Sequence, residues 1–293
     1  MKILATGITG RMGPAVAAEL LKYHQVVGMG RRKADCALVD FRQGDVTELD
    51  AVLAAADGCD VILHMAGRSS ADRGDDDVVF ATNAGGTFNV LEAARRLGMP
   101  KLVYASSNRA LGVGFKPPFS APEYVPIDER HRSRPCDPYG ISKLACEAVC
   151  RIYAQSFGLT VVSLRFAWVL TRVDVPRLMH HVSHPEARSF GLWSWVDKRD
   201  AAQAARLAVE NCDLQGYQEF LITADDTGCA LDSRALLHRF FPGVPERGKG
   251  IPGRDSFMSS HRAKRLLGYA PKFTLADGPL AEALAAARTA ASS

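Results

Sequence analysis

Thr6-Gly7-Ile8-Thr9-Gly10-Arg11-Met12-Gly13 is the stretch whose reading decides the fold. Before it, Lys2 to Ala5 is a short apolar run that reads as a buried strand. After it, Met12 to Tyr23 places Val16, Leu20 and Leu21 on one face of a helix, and Val26 to Met29 reads as a second strand. Glycines at 7, 10 and 13 suit three jobs: a tight turn, close approach of backbone to a pyrophosphate, and close packing of helix on strand. The helix N-terminus adds free N–H groups and the positive end of a dipole. A glycine triplet is also compatible with a turn that holds nothing. What favours phosphate is the ordered context of strand, triplet, helix and strand within about 30 residues. Thr9, Arg11 and Met12 belong to the same loop.

Outward from the loop, Val61 to Met65, Leu102 to Ala105 and Val161 to Phe166 read as strands, with helices at Ala84 to Leu97 and Tyr139 to Phe157. Apolar strands alternating with amphipathic helices pair in parallel through right-handed crossovers. The expected fold is α/β, a Rossmann-type doubly wound parallel sheet with a small C-terminal substrate lobe. Residues 1–165 form the dinucleotide-binding part. Residues 166–293 form mostly the substrate lobe, interleaved with the last sheet elements: a helix at Asp200 to Cys212, a strand at Glu219 to Thr223 and a helix at Ser233 to Phe241. The helices 84–97 and 139–157 carry apolar residues enough to pack outward as well as inward, which suggests a homodimer.

Composition narrows the class. The 293 residues are 47% hydrophobic and 23% charged, which excludes a disordered, collagenous or fibrous chain. A net charge of +4 with no basic run does not call for nucleic acid, although a small anionic substrate is compatible with it. No stretch approaches the roughly 18 uninterrupted apolar residues of a membrane helix. The start MKILATGITG leaves no room for a signal peptide's apolar segment. Seven cysteines without a CxxC pair indicate neither a disulfide framework nor a zinc ribbon. A cytoplasmic protein is expected.

The second strand runs into Gly28-Met29-Gly30-Arg31-Arg32. A carboxylate about 20 residues past the glycines would bind the 2′-hydroxyl of NAD. Gly30 stands there instead, and arginines suit a 2′-phosphate through paired hydrogen bonds. The preferred cofactor is therefore NADP, with NAD the alternative; a solvated basic loop is the other reading of Arg31 and Arg32. Asp45 is placed to meet the adenine amino group.

Tyr139-Gly140-Ile141-Ser142-Lys143 sets a phenol and an ammonium four residues apart on one helix face. Free tyrosine titrates near pH 10, and a neighbouring ammonium together with an oxidised nicotinamide ring favours the phenolate. Tyr139 can then exchange a substrate hydroxyl proton while hydride moves to or from the cofactor. Tyr-x-x-x-Lys is common on surface helices; its weight here comes from lying downstream of the glycine loop. Ser107, in Ser106-Ser107-Asn108 at a strand's C-terminal end, is placed to orient the reacting oxygen, unless this is only a strand-end turn.

The ordered set TGITGRMG (6–13), GDV (44–46), HMAG (64–67), NAGGT (83–87), YASSN (104–108) and YGISK (139–143) resembles the extended short-chain dehydrogenase/reductase family, the NAD-dependent epimerase/dehydratase group, over about residues 1–225. The resemblance implies Ser107, Tyr139 and Lys143 as the catalytic triad. It implies Asp45, Val46, Met65, Ala66, Gly67, Asn83, Ala105 and Phe166 as cofactor-lining residues, besides Tyr139 and Lys143. Ser-Ser-Asn followed by a basic residue, a short C-terminal lobe and Trp195 before Asp197 and Asp200 are similar to the uronate-dehydrogenase-like branch. Substrate contacts are then implied at Arg11, Ser69, Ser107, Asn108 and Arg109, with Trp168 and Arg188 added. Arg11 and Arg109 would suit a carboxylate or phosphate. Trp168 departs from that branch's small hydroxyl residue, and the segment from Gly112 to Pro138 is longer than usual and suggests a lid.

The implied function is hydride transfer between NAD(P) and a secondary alcohol or carbonyl of a small sugar-like or hydroxy-acid substrate. A sugar or nucleotide-sugar epimerase with tightly held cofactor, or a non-catalytic dinucleotide sensor, are the alternatives. No metal is expected: His180, His181 and His184 lack carboxylate partners at ligand spacing. Trp193 and Trp195 read as packing residues where the lobe meets the sheet, or as substrate contacts.

Overall fold

The computed structural model describes residues 1–32, 39–68, 75–112 and 121–275. Ile3, Leu4 and Thr6 of β1 (Lys2–Thr6) lie in parallel register with Val26, Val27 and Met29 of β2 (Gln25–Gly30). The glycine loop and α1 (Gly13–Leu20) make the crossover between them. Near-continuous apolar strands can only be buried on both faces, and the structure does this. A seven-stranded parallel sheet runs in the order β3 (Asp40–Gln43), β2, β1, β4 (Val61–His64), β5 (Lys101–Ser107), β6 (Thr160–Phe166), β9 (Tyr217–Ile222).

One face is covered by α1 and α6 (Lys198–Glu210), whose Val16, Leu20, Ala201 and Ala205 pack on Ile3, Leu63 and Val162. The other is covered by α2 (Leu49–Ala56), α3 (Asp76–Arg96) and α4 (Pro138–Phe157), with Val52, Val90 and Cys150 against Leu4, Ile62 and Leu102. The Rossmann-type doubly wound fold expected from the alternation is present.

Three local expectations change. The stretch between β2 and β4 carries a strand and a helix, β3 and α2, that the sequence reading passes over, although Val52, Ala55 and Ala56 of α2 are buried at helical spacing. β3 is an edge strand of sequence DFRQ with no buried residue, so it lacks the apolar signature of its neighbours. α3 begins at Asp76 rather than Ala84, because its first turns keep Phe80 toward solvent. α1 ends at Leu20, short of Tyr23, which is exposed.

After β6 the chain leaves the sheet. β7 (Trp168–Leu170) pairs in parallel with β8 (Trp195–Asp197), and α5 (Val175–Ser183) and a 3-10 turn at Pro185–Gly191 lie between them. β9 then returns to the main sheet, and α7 (Ser233–Phe240) and α8 (His261–Leu267) follow. A separate apolar cluster of Val125, Ile127, Trp193, Leu236, Phe257 and Met258 forms the interior of this lobe. Trp193 and Trp195 are both fully buried, with indole N–H groups donated to the Pro185 carbonyl (2.7 Å) and Asp226 (3.1 Å). Among the described residues no helix is long and apolar enough to cross a membrane.

Candidate active site

The glycine loop is built as its spacing demands. Gly7 has φ +71°, and a Cβ there would come within 2.6 Å of the Ala66 nitrogen; at Gly13 it would meet the Ile8 carbonyl oxygen at 1.8 Å. Thr9, Gly10 and Arg11 are exposed and Met12 is half-buried. α1 starts with neither a side-chain cap nor an acidic residue in its first turn. Gly13 N–H donates to the Gly10 carbonyl and Pro14 has none, so what would face the phosphates of a dinucleotide is the exposed loop Thr9 to Arg11 and the positive end of a helix with no acidic residue in its first turn.

Beneath the loop, Thr6 Oγ1 accepts from the Met65 and Ala66 N–H groups, both at 3.2 Å, and lies 2.7 Å from His64 Nδ1. His64 Nε2 reaches Thr87 Oγ1 at 3.3 Å. With Thr6 already accepting, its proton goes to Nδ1, which leaves Nε2 as the protonated nitrogen of a neutral ring. Burial, reinforced by the charge of Lys143, pushes His64 down to about 3.

At the end of β2, Gly30 is half-buried and Arg31 and Arg32 are exposed. Arg31 Nε lies 4.0 Å from Asp45, whose Oδ1 accepts from the Thr47 N–H and hydroxyl. Val46 is buried against Gly86 on α3. Asn83 is fully engaged: its Oδ1 accepts from Arg68 N–H (2.8 Å), and its amide donates to the Arg68 carbonyl and Ser142 Oγ. Gly67, exposed, runs past this group, with Asn83 Oδ1 and Lys143 Nζ 2.9 and 3.9 Å from where its Cβ would be.

The C-terminal end of β5 meets the start of α4. Lys143 Nζ donates to the Ala105 carbonyl at 2.7 Å and sits 5.7 Å from the centre of the Tyr139 ring and 4.7 Å from that of Tyr104. Ser107, at the end of β5, pairs in register with Phe166 of β6. Its hydroxyl accepts from Arg109 N–H and makes a long 3.4 Å contact to Asn108 Oδ1. Asp137 caps α4 by accepting from Gly140 N–H, and takes an ion pair from Arg109 at 3.0 Å.

The arginines proposed from sequence for an anion divide into two kinds. Arg11 pairs with Asp174 and donates to the Val169 carbonyl, and Arg109 pairs with Asp137. Arg188 is buried and lies over Trp168, its guanidinium carbon 4.2 Å from the ring centre. Ser69 lies outside the described residues, as do residues 113–120 of the segment read as a lid. Among the described residues no group of His, Cys, Asp and Glu could hold a metal ion.

Comparison with known proteins places the chain. Residues 3–222 match the NAD dependent epimerase/dehydratase family. The chain belongs to that family. This epimerase/dehydratase-family enzyme is 30% identical to L-arabinose 1-dehydrogenase (NAD(P)(+)) of Haloferax volcanii, over 71% of its own length and 82% of the relative's. It is 31% identical to a uronate dehydrogenase of Pseudomonas syringae over 56% of its length and 58% of that protein. A solved short-chain dehydrogenase/reductase superfamily structure from Agrobacterium tumefaciens with bound NAD superposes at a TM-score of 0.76 with 26% identity, covering 100% of this chain and 98% of the other.

Two features of the enzyme escape a reading of motifs. Glu147, one turn beyond Lys143 on α4, accepts from Ser106 Oγ and from Arg165, and so ties the helix to the strand that ends in Ser107. Its spacing of four from Lys143 was a usable signal. Arg177 and His181 of α5 both lie against Trp168, at 5.5 and 5.7 Å. Only the fold brings that helix to the end of β6.

Proposed function

We propose that this enzyme moves hydride between NAD(P) and a secondary alcohol or carbonyl of a small sugar-like or hydroxy-acid substrate. The observation that carries the reading is the position of Lys143: its ammonium is tethered to Ala105 at the end of β5 and lies 5.7 Å from the Tyr139 ring. When bound, the nicotinamide supplies or accepts the hydride.

The chain's own residues handle the proton and the orientation. Tyr139 takes the hydroxyl proton of an alcohol, or returns it to a carbonyl. Lys143 has three donors and spends one on Ala105, which leaves two for a ribose or for the Tyr139 oxygen. Its charge stabilises the phenol oxygen as the proton leaves. Ser107, already accepting from Arg109 N–H, has its own proton to donate, and the 3.4 Å contact to Asn108 is readily exchanged for a substrate oxygen.

The cofactor reading favours NADP. Gly30 removes the carboxylate that would repel a 2′-phosphate, and Arg31 and Arg32 are exposed beside it. The test is reduced-nicotinamide absorbance with candidate sugars and both oxidised cofactors, in the parent and in Tyr139→Phe. Net reduction by the parent, lost in the variant, supports the reading. Sugar interconversion with no net cofactor turnover replaces it with an epimerase.

A further inference from the structure

Beside the open edge of β9 lies a cleft of about 890 Å³, within the size range of sites that take small molecules. Tyr217 and Glu219 border it from the strand, Arg262 and Arg265 from α8, and the loop from Arg247 to Gly250 from the lobe. Ser107, Tyr139, Lys143 and Trp168 do not line it. Tyr217 and Glu219 pair with Val161 and Ser163 in the first half of β6, whereas Ser107 pairs with Phe166 at the strand's other end. The cleft is separate from the reacting centre and from the glycine loop.

Its charges do not balance. Five Lys and Arg side chains and three carboxylates line it, and each carboxylate is already engaged. Asp128 takes Arg130 and the Tyr124 hydroxyl, both at 2.7 Å. Glu219 takes Arg165 from the interior at 3.0 Å and Arg151 at 3.5 Å. Glu129 accepts the Leu221 N–H at 2.8 Å. Arg247, Lys249 and Arg265 pair with no acid among the described residues. Arg262 donates to the Glu219 carbonyl and to Gln218, and so adds charge without a counter-ion.

The loop Arg247-Gly248-Lys249-Gly250 supplies the second half of the case. Gly248 and Gly250 have φ +61° and +69°, and a Cβ at Gly248 would meet nothing within 4 Å, so a ligand can approach the backbone there. Arg247 N–H donates to the Val125 carbonyl and Gly250 N–H to that of Arg247, while those of Gly248 and Lys249 have no partner among the described residues. The one carboxylate within the loop's reach, Glu246, is held by Arg234 at 3.1 Å and by Ile251 N–H at 2.9 Å. The Arg247 guanidinium carbon lies 3.7 Å from the centre of the Tyr124 ring, and stacking leaves the edge of its fork to donate. Adjacent free N–H groups beside a planar fork suit the oxygens of a phosphate. Cations on α8 facing those of the loop suit a second phosphate on the same molecule.

We propose that this cleft binds a small anion bearing two or more phosphate groups, held by Arg247, Lys249, Arg265 and the Gly248 and Lys249 N–H groups. The site is independent of the hydride-transfer reading.

The experiment is calorimetric titration of the full chain with sodium pyrophosphate, in excess NADPH so that the glycine loop is already occupied. Pyrophosphate is expected to bind about tenfold or more tightly than inorganic phosphate or citrate, and to weaken as salt is added. Arg247→Ala with Lys249→Ala is expected to weaken it about tenfold or more, since each charge-assisted contact is worth roughly 1.5–3 kcal/mol when well made. Both side chains are exposed, so Tm and NADPH affinity are expected to stay at the parent's values. Pyrophosphate heat that appears only when NADPH is omitted assigns the anion to the glycine loop and overturns the proposal. So does the absence of binding, or unchanged binding in the double variant. Citrate binding as tightly as pyrophosphate rejects the phosphate class, and short single-stranded DNA binding more tightly rejects the small anion.

Discussion

Arg165 and Glu147 form a two-pronged pair in the interior, Nε to Oε1 at 2.9 Å and Nη2 to Oε2 at 2.8 Å, joining β6 to α4 behind the strand that ends in Ser107. Ser106 Oγ donates to the same carboxylate at 2.6 Å, and Arg165 also reaches Glu219 on β9 at 3.0 Å. Burial alone would lower Arg165; the bonds and charge of Glu147 overcome it and hold the guanidinium above its ordinary value. Cutting one partner leaves a buried charge. Glu147→Ala is expected to cost about 3–5 kcal/mol of stability, read from urea unfolding. A loss under about 1 kcal/mol would mean that the pair does not anchor α4.

Tyr139→Phe keeps the ring and removes only the hydroxyl. Turnover is expected to fall by about 10²–10⁴-fold, with NADPH affinity within roughly twofold of the parent by fluorescence titration. Activity that survives the change excludes Tyr139 as the acid/base.

Titration with NADPH and NADH in parallel tests the loop after β2. Tighter NADPH binding is expected, and Arg31→Ala with Arg32→Ala is expected to weaken it about tenfold or more while sparing NADH, since each lost phosphate contact costs about 1.5–3 kcal/mol when well made. Gly30→Asp should reverse the preference. Equal affinities would assign the two arginines to solvent.

His64 makes stability depend on acidity. Its folded value lies at about 3, far below the free value of 6.5, so below about pH 6.5 the unfolded chain takes a proton that the folded chain refuses. The contribution is intact above that pH and is lost as pH falls toward 3, at up to about 1.4 kcal/mol per pH unit. His64→Gln should be less stable at pH 7 and show a flatter fall between pH 6 and 4. Parallel curves for the two proteins would contradict a buried neutral His64.

The outer faces of α3 and α4 leave Phe88, Ile152 and Phe157 about half exposed, at 48%, 56% and 54%. Apolar area of this kind on two adjacent helices is what an isologous dimer covers. Light scattering is expected to return twice the chain mass, and Phe88→Asp with Ile152→Asp to halve it. A parent that is monomeric at micromolar concentration would reject the dimer.

The sequence alone determined what depends on local spacing. The glycine triplet after an apolar run, the four-residue step from Tyr139 to Lys143, and the alternation of strands and helices are periodic features of short segments, and each appears in the fold at its expected place. Polar elements such as β3 were not legible, because an exposed edge strand has no buried face to imprint a pattern. The tertiary structure decided the pairing of charges. Arg11 is matched by a residue 163 positions away, and His64 is held by Thr6, 58 positions before it. Arg188, alike in sequence to the other arginines, lies over Trp168, and among the described residues no carboxylate pairs with it. Which cation meets which carboxylate depends on the crossovers that bring distant strand ends together. Residue type and spacing carry no record of that, so the folded chain is needed to say which arginine is paired with which acid.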